Sequence, residues 1–278
     1  MKKLLTVILA GAMLLALSGC EDAGTPLGTT SQGENVDYNQ DNQDNQGEDP
    51  GKQDNQDEDP GQEENQDNEN QEFGDTNMGN IGQVKLEKGD TYGVITIKDY
   101  GSITVKLFPE CAPIAVQNFI DLANDGYYDG KLMHRIIADF MIQGGSPFGD
   151  GMSDPDGDTF EVEPHLSARH FYGALSMANA GGRNQQQFFI VNMKKPQDPH
   201  DVPLYAAPYY EPFLNSITDD IEAKYKDGGT AFLDGGYTVF GQTVDGFDVL
   251  DKVSLVKVTG DRPDKDVVIE SVVIKVAE

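Results

Sequence analysis

Arg135 and Gln143 stand in the stretch MHRIIADFMIQGG (133–145), where a buried strand would carry aliphatic side chains. A guanidinium is always charged and holds five donors in a rigid fork, and a primary amide offers two donors and an acceptor. Neither belongs unpaired in a core. Alternate residues of a strand share a face. Met141 and Gln143 therefore point one way, and Phe140 and Ile142 point the other if the strand is regular there. In QQFFIV (186–191), Gln187, Phe189 and Val191 share one face, and Phe188 and Ile190 share the opposite one. Each strand then has a wholly apolar face and a face that mixes apolar residues with glutamine. The mixed face reads as a groove that grips an apolar group and offers a few hydrogen-bonding handles. Arg135 projects from the neighbouring strand. Phe188 and Val239 are most simply core.

Other chemistries fit less well. Asp154, Asp156 and Asp158 in DPDGDT suggest calcium, but the EF-hand pattern wants Gly at its sixth place and Glu at its twelfth, where this chain has Thr159 and His165. The segment reads as a solvated acidic loop, and no metal site is expected. The four histidines have no Gly-x-Ser-x-Gly partner, so a hydrolytic triad is not expected. His134 reads as a structural hydrogen-bonder. Cys111, in PECAP ahead of an apolar helix, reads as an inert small residue. There is no tryptophan, which argues against a sugar-stacking surface.

The elements that must hold these residues are mostly short strands. YGVITIKDYGSITVKL (92–107) reads as a hairpin turning at Asp99–Ser102. Pro113 suits a first helical turn, Ala115, Phe119, Leu122 and Ala123 recur at helical spacing, and Gly126 ends the run. Strands are expected at 132–137, 140–143, 173–177, 187–192 and 237–243, with a short helix at 246–252. VVIESVVIKV (267–276) reads as a last strand with an irregularity near Glu270-Ser271. The segment 196–231 breaks the pattern. It reads as a surface insertion with one helix over about 211–226 that ends at Gly228. Many short strands and few helices point to a mainly β fold, a closed antiparallel barrel with helices over its ends.

The first 84 residues read differently. Residues 1–20 open with Lys2 and Lys3, followed by an uncharged run of 14 residues from Leu4 to Leu17. That run is shorter than the ~18 residues a spanning helix needs, and it suits the apolar region of a secretory signal. Leu17-Ser18-Gly19-Cys20 resembles the bacterial lipoprotein signal, which implies cleavage before Cys20 and lipidation of its thiol. The expected location is therefore extracytoplasmic, anchored to the bacterial cell membrane. Cys111 is then the one free cysteine, and the fold must rest on its core rather than on a disulfide. Residues 21–84 form an acidic Asn/Gln/Asp/Glu-rich linker, with a near-repeat of GEDPGKQDNQ (47–56) in DEDPGQEENQ (57–66). Residues 21–80 hold 18 acidic side chains and one lysine, more than half of the chain's net charge of −28. Such a segment buries too little apolar surface to fold, and it extends as a spacer. The acidity argues against nucleic acid as a partner. Residues 85–278 remain for one domain.

The quoted motifs MHRIIADFMIQGG, ALSMANA (174–180), QQFFIV and FLDGGYTVFGQ (232–242) resemble, in order, those of the cyclophilin family of peptidyl-prolyl cis–trans isomerases. The resemblance implies a closed eight-stranded antiparallel barrel capped by two helices, with its site on the outer face. It implies that Arg135 is catalytic and that Phe140, Met141, Phe189 and Leu233 form a proline pocket. It also implies that Gln143 and Gln187 hydrogen-bond the peptide and that Ala178 and Asn179 line the adjoining groove. Phe232 stands where many eukaryotic members have tryptophan, and Tyr237 where histidine is frequent; both complete the substrate-binding set and look like bacterial relatives. Met133 replaces the usual Phe before His134-Arg135, and the 181–187 loop is about one residue short. The implied reaction breaks no bond and needs no cofactor. The implied partners are proline-containing polypeptides folding outside the cytoplasm, bound by a monomer. A second reading is a membrane-anchored module or holdase that grips such segments without turnover.

Overall fold

The computed structural model describes residues 85–201 and 210–278. The signal segment, Cys20, the acidic linker and residues 202–209 of the 196–231 insertion lie outside those residues.

The hairpin expected at the start of the domain is β1 (Thr91–Ile97) and β2 (Gly101–Leu107), paired antiparallel. Helix α1 (Pro113–Asn124) follows with Pro113 in its first turn. Its free N–H groups are capped from elsewhere: Glu163 accepts from Ile114 N at 3.0 Å and from Ala115 N at 2.8 Å. Then come β3 (Arg135–Ile137), β4 (Met141–Gly144), β5 (Phe160–Glu161), β6 (Ala174–Ala180) and β7 (Arg183–Val191). After the insertion the chain forms β8 (Val239–Asp245), α4 (Phe247–Ser254), the small hairpin β9 (Val258–Thr259) and β10 (Arg262–Pro263), and β11 (Ile269–Val276). β5 and the β9–β10 hairpin had no expectation behind them.

The main sheet runs β11-β1-β2-β8-β6-β7-β4-β3, with β5 paired to β7. It is antiparallel and curls into a half-barrel. The closed barrel is therefore met in part, because β3 and β11 share no ladder. The chain just before β3 crosses that gap with a few backbone bonds: Gly130 N to Ile269 O (2.8 Å), Ile269 N to Lys131 O (2.8 Å) and Met133 N to Val267 O (2.9 Å). β3 has only three residues. On its far side, Ile136 N donates to Asp261 O at 2.8 Å, so the β9–β10 turn covers what would be an open edge. The irregularity expected near Glu270-Ser271 is a register shift: Thr96 faces Ser271 while Ile97 faces Ile269, leaving Glu270 unpaired.

Two apolar clusters lie on opposite faces of the sheet. The inner one joins Ile95, Ile103 and Val105 to Ile142, Leu175, Phe188, Ile190 and Phe240, and α1 and α4 seal it with Phe119, Val249, Leu250 and Val253. Phe119 sits among the rings of Tyr128, Phe188 and Phe240 at 5.2–5.6 Å between centroids. The outer cluster joins Phe108, Cys111, Met141, Phe189, Val191, Leu233 and Val239. Phe188 and Phe189 thus part to opposite faces, as strand alternation requires.

The insertion departs from the single surface helix expected. Two helices, α2 (Tyr210–Asn215) and α3 (Asp219–Lys226), are separated by a break whose Thr218 side chain caps α3 through Ile221 N. An N-capping threonine starts a new helix where the apolar spacing alone suggested continuity. Nor is the segment only superficial. Phe213 and Tyr225 are fully buried. Tyr225 Oη donates to Asp234 Oδ2 at 2.5 Å. Asp234 also accepts from Arg169 Nη1 (3.2 Å) and His170 N (3.0 Å), and its Oδ1 lies 2.9 Å from His170 Nδ1. Arg169 Nη2 donates to Phe213 O at 3.0 Å. Burial pushes the Asp234 carboxyl up, but the bond from His170, the Arg169 charge and the bond from Tyr225 outweigh it and hold it below the usual carboxylate range. His134 also departs from expectation. It is 7% exposed, and among the described residues neither ring nitrogen makes a hydrogen bond of full geometry, with the backbone of Leu132 close enough only to act on its charge, so it is a buried neutral imidazole rather than a bridging one. Burial is the main cause that lowers its pKa to about 4.

Two stability measurements follow from these buried groups. Asp234→Ala leaves the Arg169 guanidinium buried and unpaired, and urea unfolding near neutrality should record a loss of ~3–5 kcal/mol. The Asp234 contribution is complete above the ordinary aspartate pKa of ~3.9 and is lost as pH falls through its lower folded value. His134 acts at higher pH. An unfolded imidazole takes up a proton near 6.5 and the folded one only near 4. Stability should therefore fall by on the order of 3 kcal/mol as pH drops across that window. Urea midpoints at pH 7 and 4.5 should separate less in His134→Gln than in the wild type.

Candidate functional site

Strand register assembles the site. Arg135 on β3 pairs with Gln143 on β4, and Gln143 pairs with Phe189 on β7. Phe189 then pairs with Ser176 on β6, and Ser176 with Val239 on β8. Directly opposed residues have side chains on the same face with Cβ atoms ~4.5–5.5 Å apart. The guanidinium, the amide and the ring therefore stand in one row on the outer face. The next row holds Ile137, Met141 and Val191.

The apolar cluster beside that row gathers Met141, Phe189 and Leu233 as buried members, with Phe140, Ala178, Phe232 and Tyr237 partly buried against them. Phe140 corrects the expectation of a regular strand, which would have sent it to the inner face beside Ile142. It lies in a turn that precedes β4, closed by Phe140 N to Ile137 O at 3.2 Å, with Asp139 at φ +55°. Asn192 clamps this turn: its Oδ1 accepts from Phe140 N at 2.7 Å and its Nδ2 donates to Ile137 O at 3.1 Å. The left-handed residue breaks alternation, and Phe140 swings to the side of Met141, stacked on Phe232 at 5.9 Å. Leu233 and Phe232 lie on a single turn of 3-10 helix, Ala231–Leu233.

Behind Phe189, His170 lies nearly parallel to its ring, with centroids 6.0 Å apart and planes at 9°. His170 Nε2 is 3.1 Å from Ser176 Oγ, and its other nitrogen reaches Asp234. Tyr237 packs edge-on to Phe189 at 5.9 Å. Burial raises the Tyr237 pKa, and the positive charge of Arg135 acts in the opposite sense, so the two groups feel each other's fields. The tyrosine stays a neutral phenol.

The polar residues divide into those that face the groove and those that support it. Arg135 is about a quarter exposed and pairs through Nε with Asp261 Oδ2 at 3.0 Å. Gln143 Nε2 donates to Gln187 Oε1 at 3.1 Å. Gln187 is buried, and its own amide nitrogen donates to Gly151 O (3.1 Å) and Met152 O (3.0 Å). Gln187 is thus committed to the 146–152 loop and to orienting Gln143, whose carbonyl oxygen is left to accept. Asn179 Nδ2 donates to Gly236 O at 3.0 Å and pins the end of β6 to the turn that carries Tyr237. Cys111 is buried, with its thiol pushed up to about 12 by burial and then by Glu110, and is inert as expected.

Four residues of this neighbourhood carried no signal strong enough to single them out. Asn192 only ends a strand, His170 lies ahead of ALSMANA, Asp234 stands inside FLDGGYTVFGQ as a polar residue with no evident partner, and Asp261 sits in the turn-forming TGDRP. Their roles come from contacts between segments far apart in the chain.

Comparison with known proteins gives the family. The family model described as cyclophilin type peptidyl-prolyl cis-trans isomerase/CLD matches residues 92–274. A protein of Staphylococcus haemolyticus is 45% identical over 176 residues, 62% of this chain and 85% of its own length. One of Staphylococcus epidermidis is 42% identical over 206 residues, 70% of this chain and 98% of its own. The curated names of both assign them provisionally to the peptidyl-prolyl cis–trans isomerases. A solved cyclophilin type isomerase of Cryptosporidium parvum, crystallised in the presence of the dipeptide Ala-Pro, aligns at a TM-score of 0.50 and 26% identity. That alignment covers 66% of this chain and 98% of the other. With its outer-face row and hollow set on that fold, the chain belongs to the cyclophilin-type peptidyl-prolyl cis–trans isomerase family, and it is an isomerase enzyme.

Proposed function

We propose that this enzyme accelerates X–Pro isomerisation in polypeptides folding outside the cytoplasm, with Arg135 stabilising the twisted amide and the hollow around Phe189 gripping the proline ring. The observation that carries the reading is the register row in which Arg135, Gln143 and Phe189 stand side by side against one apolar cluster. The Ala-Pro dipeptide present with the Cryptosporidium relative supports proline-containing peptides as the substrate class here.

The chemistry follows from the amide. Rotation about a peptide bond costs ~18–20 kcal/mol because nitrogen shares its lone pair with the carbonyl. As the bond twists, the nitrogen becomes pyramidal and regains that pair. A guanidinium beside it donates more strongly to the twisted nitrogen, or to the nearby carbonyl oxygen, than to either planar form. Only such differential binding lowers the barrier, and each ~1.4 kcal/mol of it gives a tenfold rate. Met141, Phe189, Leu233, Phe140 and Phe232 hold the pyrrolidine and exclude water, which strengthens the Arg135 interaction. Gln143 accepts from the peptide backbone, with Gln187 fixing its amide, while Ala178, Asn179 and Tyr237 bound the groove. No nucleophile is called for.

The location rests on the leader and on Leu17-Ser18-Gly19-Cys20: a lipid on Cys20 and the acidic spacer after it would hold the domain off the bilayer surface. Fractionation of cells producing Cys20→Ser should find the protein released from the membrane fraction, and retention there would sink the anchoring.

The isomerase mechanism is tested on the full chain by a protease-coupled assay with a proline-containing peptide. Arg135→Ala should lower kcat/KM ~100-fold or more, a loss of the size seen when one preorganised donor is removed, with peptide affinity little changed. Arg135→Lys should restore little, because an ammonium lacks the planar fork. Peptide binding without turnover by the wild type would leave the non-catalytic binding module in its place.

A further inference from the structure

We propose that Asp261 is the positioning residue for Arg135, holding the guanidinium by its Nε edge and leaving both terminal nitrogens for the substrate. This builds on the isomerase reading above. Asp261 Oδ2 lies 3.0 Å from Arg135 Nε. Among the described residues, the terminal nitrogens of Arg135 have no hydrogen-bond partner. An arginine side chain has many rotamers, and a carboxylate on the edge opposite the terminal fork removes most of them without occupying the donors that act on the amide.

Asp261 is itself fixed to the strand it serves. Its carbonyl accepts from Ile136 N at 2.8 Å, one residue beyond Arg135. The next residue, Arg262, donates through Nη1 to Gly149 O at 2.9 Å. The loop that holds Gly149 also holds Gly151 and Met152, whose carbonyls take the Gln187 amide, and Gln187 in turn takes Gln143. Gln143 is the register partner of Arg135. The contacts therefore form a ring that starts and ends at Arg135, and the β9–β10 turn sets the charged group and the 146–152 loop together.

A positioning role and a structural one part company here. The side chain of Asp261 is half exposed and that of Arg135 about a quarter, so the pair adds little to folding. Its loss should move Tm by less than ~3 °C. The test uses the full chain, one proline-containing tetrapeptide, and exchange NMR at saturating and limiting peptide. In Asp261→Asn, kcat should fall about tenfold, equivalent to about 1.4 kcal/mol, with the peptide Kd within about twofold of wild type. Asp261→Glu should recover part of the rate. The Arg135 Nε–H resonance, identified by its absence in Arg135→Lys, should exchange faster with water in Asp261→Asn than in the wild type. An active wild type matched by Asp261→Asn within twofold overturns the proposal, as does a rate loss that tracks a fall in Tm. An inactive wild type is a different failure: it removes the isomerase mechanism, and the positioning role with it.

Discussion

The site depends on one alignment of strands. Arg135 opposes Gln143, and Gln143 opposes Phe189, because β3, β4 and β7 pair in a single register. Side chains alternate with a period of two, so a slip of one residue would send the guanidinium into the apolar interior and Ile136, Ile142 and Phe188 into water. The inner cluster therefore enforces the outer arrangement. Burying Ile142, Phe188 and Ile190 is what holds Gln143 and Phe189 on the exposed side. The row of the candidate site is a by-product of the packing that stabilises the domain.

Beneath the hollow the support changes from apolar to ionic. Asp234, Arg169, His170 and Tyr225 form a buried network whose members come from the β5–β6 connection, the insertion and the turn after Leu233. His170 lies against the Phe189 ring, and Asp234 follows directly on Phe232 and Leu233. The insertion helices therefore reach the support of the Phe189 ring through Tyr225. A buried carboxylate is tolerated there only because each of its oxygens is paired. Rigid support of this kind is what the proposed mechanism requires, since a site that favours one twisted geometry must keep its shape while the substrate turns.

Much of this was legible because alternation and helix signals are local. The opposite faces of Phe188 and Phe189, Pro113 in the first turn of α1, and the irregularity at Glu270 each follow from neighbouring residues alone. The departures occur where a distant contact overrides a local pattern. Phe140 leaves the expected face because Asn192 clamps a turn with Asp139 left-handed. The insertion helix splits because Thr218 caps a second one. His134 looked like a bridging group, but among the described residues its nitrogens make no hydrogen bond of full geometry. The sheet remains a half-barrel because β3 is short and its free edge is taken by Asp261 rather than by β11.

The amino-acid order by itself determined which residues could do the chemistry: a charged fork, two amides and a set of apolar and aromatic side chains spaced along strands. It also determined an acidic segment ahead of the domain, poor in the aliphatic residues a core needs. Only the tertiary structure decided how those residues divide their labour. It gave Gln187 to the support of Gln143, Asp261 to the edge of Arg135, and the insertion to the floor beneath Phe189. The reason is physical. Strand alternation and capping act over a few residues and are written in sequence spacing, whereas a hydrogen bond between positions 135 and 261 exists only once the sheet has curled and brought its far hairpin home.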